Sequence, residues 1–140
     1  MKAFEYLEHT ADAEFIAYGQ TIDEAFANAA LAMTGLMVDP KTVSPAVEKD
    51  IELSGDAPDL LLYDWLSELL YIFDVDRLVF GKFEVCVEGE GGAFRLKAKA
   101  MGESVDKHPE IFLNIKAVTF HDLRLEKRNN MYEAQVLLDI

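Results

Sequence analysis

The sequence places hard oxygen ligands near both of its ends. Asp139 precedes Ile140, so its side-chain carboxylate lies close to the Ile140 main-chain carboxylate. Two adjacent anionic groups repel each other unless they are solvated or share a cation. A third carboxylate, such as Asp12 in the stretch "EHTAD", would complete an all-oxygen site suited to Ca2+, Mg2+ or Mn2+. Spacing alone does not bring Asp12 to Asp139; that requires the first and last strands to be neighbours. Solvated carboxylates and a polar turn between two strands are the plainer readings of these residues.

The other chemically capable residues form no constellation. His9, His108 and His121 are scattered and lack a metal-ligand spacing such as H-E-x-x-H, so each reads first as structural. Cys86 is the single cysteine, which excludes an intrachain disulfide and a cysteine-rich zinc site. With no His and Asn pattern around it, it reads as an inert thiol. Gly91-Gly92 lacks the helix and lysine of a phosphate-binding loop and reads as a turn. Arg95, Lys97 and Lys99 form a basic stripe that neighbouring glutamates can neutralise.

Those residues must be positioned by a fold whose class the bulk properties limit. The chain has 140 residues, 51% of them hydrophobic, with a formal charge of −13. That is enough for one domain, residues 1–140, with a proper core. The average field repels nucleic acid, so direct RNA or DNA binding is a poor expectation. A basic protein partner, a metal ion or plain solubility suits the acidity better. No apolar run approaches the roughly 18 residues that cross a bilayer, and "MKAFEYLEH" has no signal-peptide pattern. A cytoplasmic protein without membrane association is expected.

The patterning predicts two helices and seven strands. Residues 3–8 and 13–19 read as strands flanking "EHTAD". Thr21 and Glu24 make a capping box for a helix from Ile22 to Met33, with Gly35 as its stop and alanines 25, 29 and 32 as a thin packing face. Residues 47–53 read as a strand. Asp56 is the expected N-cap of the strongest helix, in which Leu62, Leu66, Leu69 and Phe73 recur at helical spacing. Residues 77–88 and 93–101 flank "GEGG" as a hairpin, with Glu84 and Glu88 facing the basic stripe. Residues 102–114 read as a loop. In 115–127 the apolar parity slips between Phe120 and Leu123, which predicts a β-bulge near His121-Asp122. A turn at Arg128-Asn129-Asn130 leads to a last strand, 131–140. The expected class is α+β: a single domain with two main helices packed on a largely antiparallel sheet of hairpin-connected strands.

Six segments in order, "YLEHTAD", "GQTIDEAFANAALAM", "LLYDWLSELLYIFD", "LKAKAMGE", "IKAVTFHDL" and "VLLDI", closely resemble the archease family from about Tyr6 to Ile140. No one segment is diagnostic; the ordered set is. The resemblance implies a non-catalytic protein cofactor of the RtcB-type RNA ligase of tRNA splicing. That ligase joins 2′,3′-cyclic phosphate or 3′-phosphate ends to 5′-hydroxyl ends, and the cofactor promotes its guanylylation and multiple turnover. It also implies a divalent-cation site, seen with calcium, made here by Asp12, Asp139 and the terminal carboxylate of Ile140, and a role in ligase activation for Lys116. His9 and His121 are candidate supporting residues. The alternative from another class is a chaperone-like binding module for RNA-processing proteins, which would use exposed apolar area. A metal-dependent hydrolase is a third reading, weakened by the lack of a second metal set or general base.

Overall fold

The computed structural model describes residues 2–8, 12–111 and 113–140. The elements in order are β1 (Phe4–Leu7), β2 (Asp12–Gly19), α1 (Ile22–Met37), β3 (Val47–Gly55), α2 (Pro58–Val75), β4 (Leu78–Glu90), β5 (Ala93–Ser104), β6 (Ala117–Val118), β7 (Arg124–Arg128) and β8 (Met131–Asp139). All strand pairs are antiparallel and the class is α+β, as expected. The strands divide between two sheets. One has the order β1-β2-β8, with β6 and β7 both along the far edge of β8; the other has the order β3-β5-β4.

Each helix touches both sheets, which explains how broadly the helices are buried. In α1 the thin alanine face is real: Ala25, Ala29 and Ala32 are fully buried, letting the helix sit close to β2 and β4. In α2 the predicted stripe Leu62, Leu66, Leu69 and Phe73 is buried, but so are Leu61, Trp65, Leu70 and Ile72. A helix held against two sheets must be apolar over much more than one stripe. Trp65 Nε1 donates to the Phe26 carbonyl at 3.0 Å, tying α2 to α1 inside the core.

Local rules held at some element ends and failed at others. Thr21 Oγ1 accepts the Glu24 N–H at 3.1 Å, while Glu24 Oε1 accepts the N–H of Gln20, one residue before the cap, at 3.1 Å. The N-cap of α2 is Ala57, not Asp56, and it makes no side-chain cap bond; Pro58 opens the helix instead. Gly35 does not stop α1, which continues to Met37. Its missing Cβ serves the approach of the Tyr6 ring, whose hydroxyl would lie 2.6 Å from a Cβ there and donates to the Ala32 carbonyl at 2.9 Å. The β4–β5 hairpin turns at Gly91-Gly92, both at positive φ (61° and 88°).

The predicted bulge near His121-Asp122 is instead a complete break. β6 ends at Val118, the chain turns with Asp122 at φ 57°, and β7 begins at Arg124. Both short strands pair with β8, so the described residues form eight strands where seven were expected. Val118 opposite Leu138 and Leu125 opposite Ala134 share the inner face, whereas Phe120 is left 61% exposed.

Residues 102–114 carry more order than a loop. β5 runs to Ser104 and a 3-10 turn spans Val105–Lys107. His108, only 4% exposed, lies between two carboxylates, Nε2 at 2.8 Å from Glu103 and Nδ1 at 3.1 Å from Glu110. Glu103 also accepts the Ser44 N–H at 3.0 Å. Burial pushes the imidazole down, but hydrogen bonds and charge from both glutamates outweigh it and hold His108 above its ordinary value. The Ser44 N–H, and then His108, hold Glu103 below the usual carboxylate range. Glu110 is lowered by its own main-chain N–H and then by His108. Stability from His108 is complete below the ordinary histidine value and is lost as pH rises through its raised value. Stability from the glutamates is complete above the ordinary carboxylate value and is lost as pH falls through their lowered values. The melting-temperature advantage of wild type over His108→Gln is therefore expected to peak at about pH 5–6 and to fall by a few °C, roughly, towards alkaline pH. An advantage that stays constant across that range would mean His108 is neutral throughout.

Candidate functional site

The antiparallel register of β2 on β8 builds the site. Phe15 lies opposite Val136, Ala17 opposite Ala134 and Ala13 opposite Leu138, all facing the helices. The alternate pairs lie on the opposite face of the sheet: Tyr18 with Glu133, Ile16 with Gln135, the buried pair Glu14 with Leu137 and, at the end of the ladder, Asp12 with Asp139. The buried aliphatic and aromatic set on one face therefore determines where the two aspartates meet. A slip by one residue would turn Phe15 and Val136 to the outside.

On the other side of β8, the Asp139 carbonyl accepts the Lys116 N–H at 2.8 Å, and Ala117 is its partner in β6. Because that carbonyl points to β6, Asp12 and Asp139 face each other without exchanging main-chain bonds. In such pairs the Cα atoms are about 4.5 Å apart and the side chains are at their closest. Like charges placed so repel each other. Ile140 follows directly. Asp12, Lys116, Asp139 and Ile140 thus share one end of the five-stranded sheet.

Asp12 also lines a surface cleft with Tyr6, Glu8, Glu14 and Leu36. Glu14, on the same face of β2, is 6% exposed and accepts from Gln135 Nε2 at 3.0 Å. Gln135 in turn accepts from Arg124 Nε at 3.1 Å, and Arg124 Nη1 reaches Glu126 at 3.1 Å and Glu133 at 3.3 Å. The sequence reading missed this network. The period-2 recurrence of Asp12 and Glu14 was the available signal, since it puts both carboxylates on one strand face.

His9, with Thr10 and Ala11, lies outside the described residues. His121 is exposed on the turn before β7 and is paired with Asp122 at 3.7 Å. His108 belongs to the carboxylate cluster at the end of β5. Cys86 is exposed, and desolvation together with the Asp23 and Glu88 carboxylates pushes its thiol up, which suits an inert role. In the basic stripe, Lys97 pairs with Glu52 at 3.7 Å, and Lys99 with Glu48 at 3.6 Å and Asp50 at 3.8 Å. These bonds run to β3, although Glu84 and Glu88 of β4 are in register on the opposite side.

Among the described residues, no group of three or more His, Cys, Asp or Glu side chains forms a metal cluster. The donor set at the sheet end is two side-chain carboxylates, with further oxygens to come from the main chain or water. Such a set fits a hard, oxygen-preferring cation and suits neither zinc nor copper. Among the described residues, no helix is long and apolar enough to cross a membrane.

The chain is a small acidic protein of the α+β class, and comparison with known proteins gives its family. Residues 4–140 match the model of the Archease protein family (MTH1598/TM1083). The Methanosarcina mazei protein archease is 48% identical over 99% of this chain and 97% of its own length. The Pyrococcus furiosus protein archease is 41% identical, with both chains covered in full. The solution structure of Methanobacterium thermoautotrophicum protein 1598 superposes with a TM-score of 0.90 at 41% identity, also covering both chains in full. A Thermotoga maritima structure, described as an archease and possible chaperone, shares the fold with a TM-score of 0.61 at 18% identity, over 96% of this chain and 94% of that one. The chain belongs to the archease family.

Proposed function

We propose that this protein is a non-catalytic, divalent-cation-binding activator of an RtcB-type RNA ligase in tRNA splicing, acting in the cytoplasm. The observation that carries the reading is the placement of Asp12 opposite Asp139, with Lys116 bonded to the Asp139 carbonyl. Asp12, Asp139 and the main-chain carboxylate of Ile140 would hold the cation, calcium in the isolated protein and Mg2+ or Mn2+ as other candidates. A bound cation supplies charge neutralisation and orientation where a nucleotide triphosphate approaches. Lys116, exposed beside that end, offers an ammonium to phosphate or to a ligase carboxylate. The acidic surface favours engagement of the ligase over direct contact with RNA.

The test is a time course of ligase guanylylation and multiple-turnover ligation with Asp12→Asn, Asp139→Asn and Lys116→Ala. Each is expected to reduce stimulation by at least about tenfold while remaining folded. Full stimulation by all three would sink the reading. Exposed apolar residues on α2 give one observation in favour of a chaperone-like module. Such a module would suppress aggregation of unrelated clients and would be indifferent to Asp12→Asn.

A further inference from the structure

Large apolar side chains are exposed at six described positions: Tyr6, Val47, Leu60, Tyr71, Val75 and Phe120. They are not scattered. Leu60, Tyr71 and Val75 all lie on α2, and Phe120 stacks on Tyr63 of the same helix with centroids 4.1 Å apart and planes 13° from parallel. Leu60, Tyr71 and Val75, spaced by eleven and four residues, fall on one side of a helix about 27 Å long. The rest of α2 is committed to the two sheets, so this is its outer face. Phe120 is 61% exposed, yet its ring is held flat against Tyr63. Burying it fully against a partner would require little further ordering.

The charge pattern selects the occupant. Four residues of α2 are acidic, Asp59, Asp64, Glu68 and Asp74, and none is Lys or Arg. Asp64 and Asp74 are exposed among the apolar residues. A second copy of this face would set acid against acid, and an anionic membrane or nucleic acid would be repelled. The surface also borders the cation end: Thr119, next to Phe120, donates its N–H to the Leu137 carbonyl at 3.1 Å, two residues before Asp139.

We propose that the outer face of α2, together with the Phe120 ring, docks a basic protein surface carrying an apolar ridge. Resting on the function proposed above, the ligase presents that surface. Docking here sets the carboxylate end of the sheet beside the same partner, so one interface anchors the protein and aims its cation.

The experiment titrates the cognate ligase with the wild-type protein and two double variants. Tyr71→Ser with Phe120→Ser removes the apolar contact, and Asp64→Lys with Asp74→Lys reverses the charge. All four positions are exposed, so circular dichroism and calcium affinity should match wild type, with the melting temperature of the serine pair lowered only by the few degrees, roughly, that the Phe120–Tyr63 stack contributes. Each pair is expected to raise Kd by at least about tenfold, and the charge-reversed pair should show a weaker salt dependence than wild-type binding. Hydrogen exchange should show residues 60–75 protected in the wild-type complex. Both pairs binding within about twofold of wild type, with the wild type stimulating the ligase, would overturn the docking face and leave the proposed function standing. A wild-type protein that neither binds nor stimulates the ligase would overturn both.

Discussion

Asp139→Asn is expected to weaken calcium binding by at least about tenfold, roughly 1.4 kcal/mol, and yet to make the cation-free protein slightly more stable. The sign reversal comes from the geometry. Asp12 and Asp139 are directly opposed in the β2–β8 ladder, and opposed like charges cost roughly 0.2–1 kcal/mol. Neutralising one relieves that cost but removes a ligand. With the cation at about a hundred times Kd, the wild type should gain about 2.7 kcal/mol, and the variant much less at the same concentration. Melting curves with chelator and with millimolar calcium should therefore cross in rank order. Asp12→Asn should likewise weaken calcium binding, and the double variant should lose the calcium response altogether. Appending residues after Ile140 should weaken binding with every side chain intact. If Asp139→Asn melts below wild type in chelator and gains equally from calcium, the two carboxylates do not share a cation.

Trp65→Ala should be the most damaging single change in the core, destabilising by about 3–5 kcal/mol. Trp65 is fully buried, meets the Phe83 ring edge-on at 5.9 Å and donates to the Phe26 carbonyl of α1. Its removal leaves a large void where both helices and the three-stranded sheet converge. Trp65→Phe keeps most of the volume and loses the hydrogen bond, so roughly 1–2 kcal/mol is expected. Since Trp65 is the only tryptophan, unfolding should be followed by far-UV circular dichroism in denaturant. Equal losses for Ala and Phe would show that the bond to α1, rather than packing, dominates.

Periodicity and turn chemistry made most elements legible. The Thr21 cap, the α2 stripe, the Gly91-Gly92 hairpin and the alternation of β8 all follow from local rules. The failures came where tertiary contacts override them. Gly35 reads as a helix stop until the Tyr6 ring is known to need its space. The parity slip after Val118 reads as a bulge, because a sequence does not show that β8 offers its edge to two short strands in succession. His108 reads as a lone histidine, since neither flanking glutamate signals that it will be buried with it. The candidate site was half legible. Its carboxylates could be named, whereas their meeting depends on pairing residues 12–19 with 132–139, a non-local choice made by Phe15, Ala17, Val136 and Leu138. The Glu14–Gln135–Arg124 network depends on the same choice.

The central position of β8 has a temporal meaning as well. It comes last in sequence among the described strands, yet β2 pairs on one side of it and β6 and β7 on the other. Before it is seated, β2 has only β1 beside it, and Asp12 has no Asp139 across from it. Closing β2 onto β8 means joining segments separated by residues 20–130, a contact of high sequence separation that folds slowly. During synthesis that closure must wait for residues 131–139 to emerge. The carboxylate end of the sheet therefore forms late: until residues 131–139 are seated, Asp12 is present without the residue it meets in the ladder.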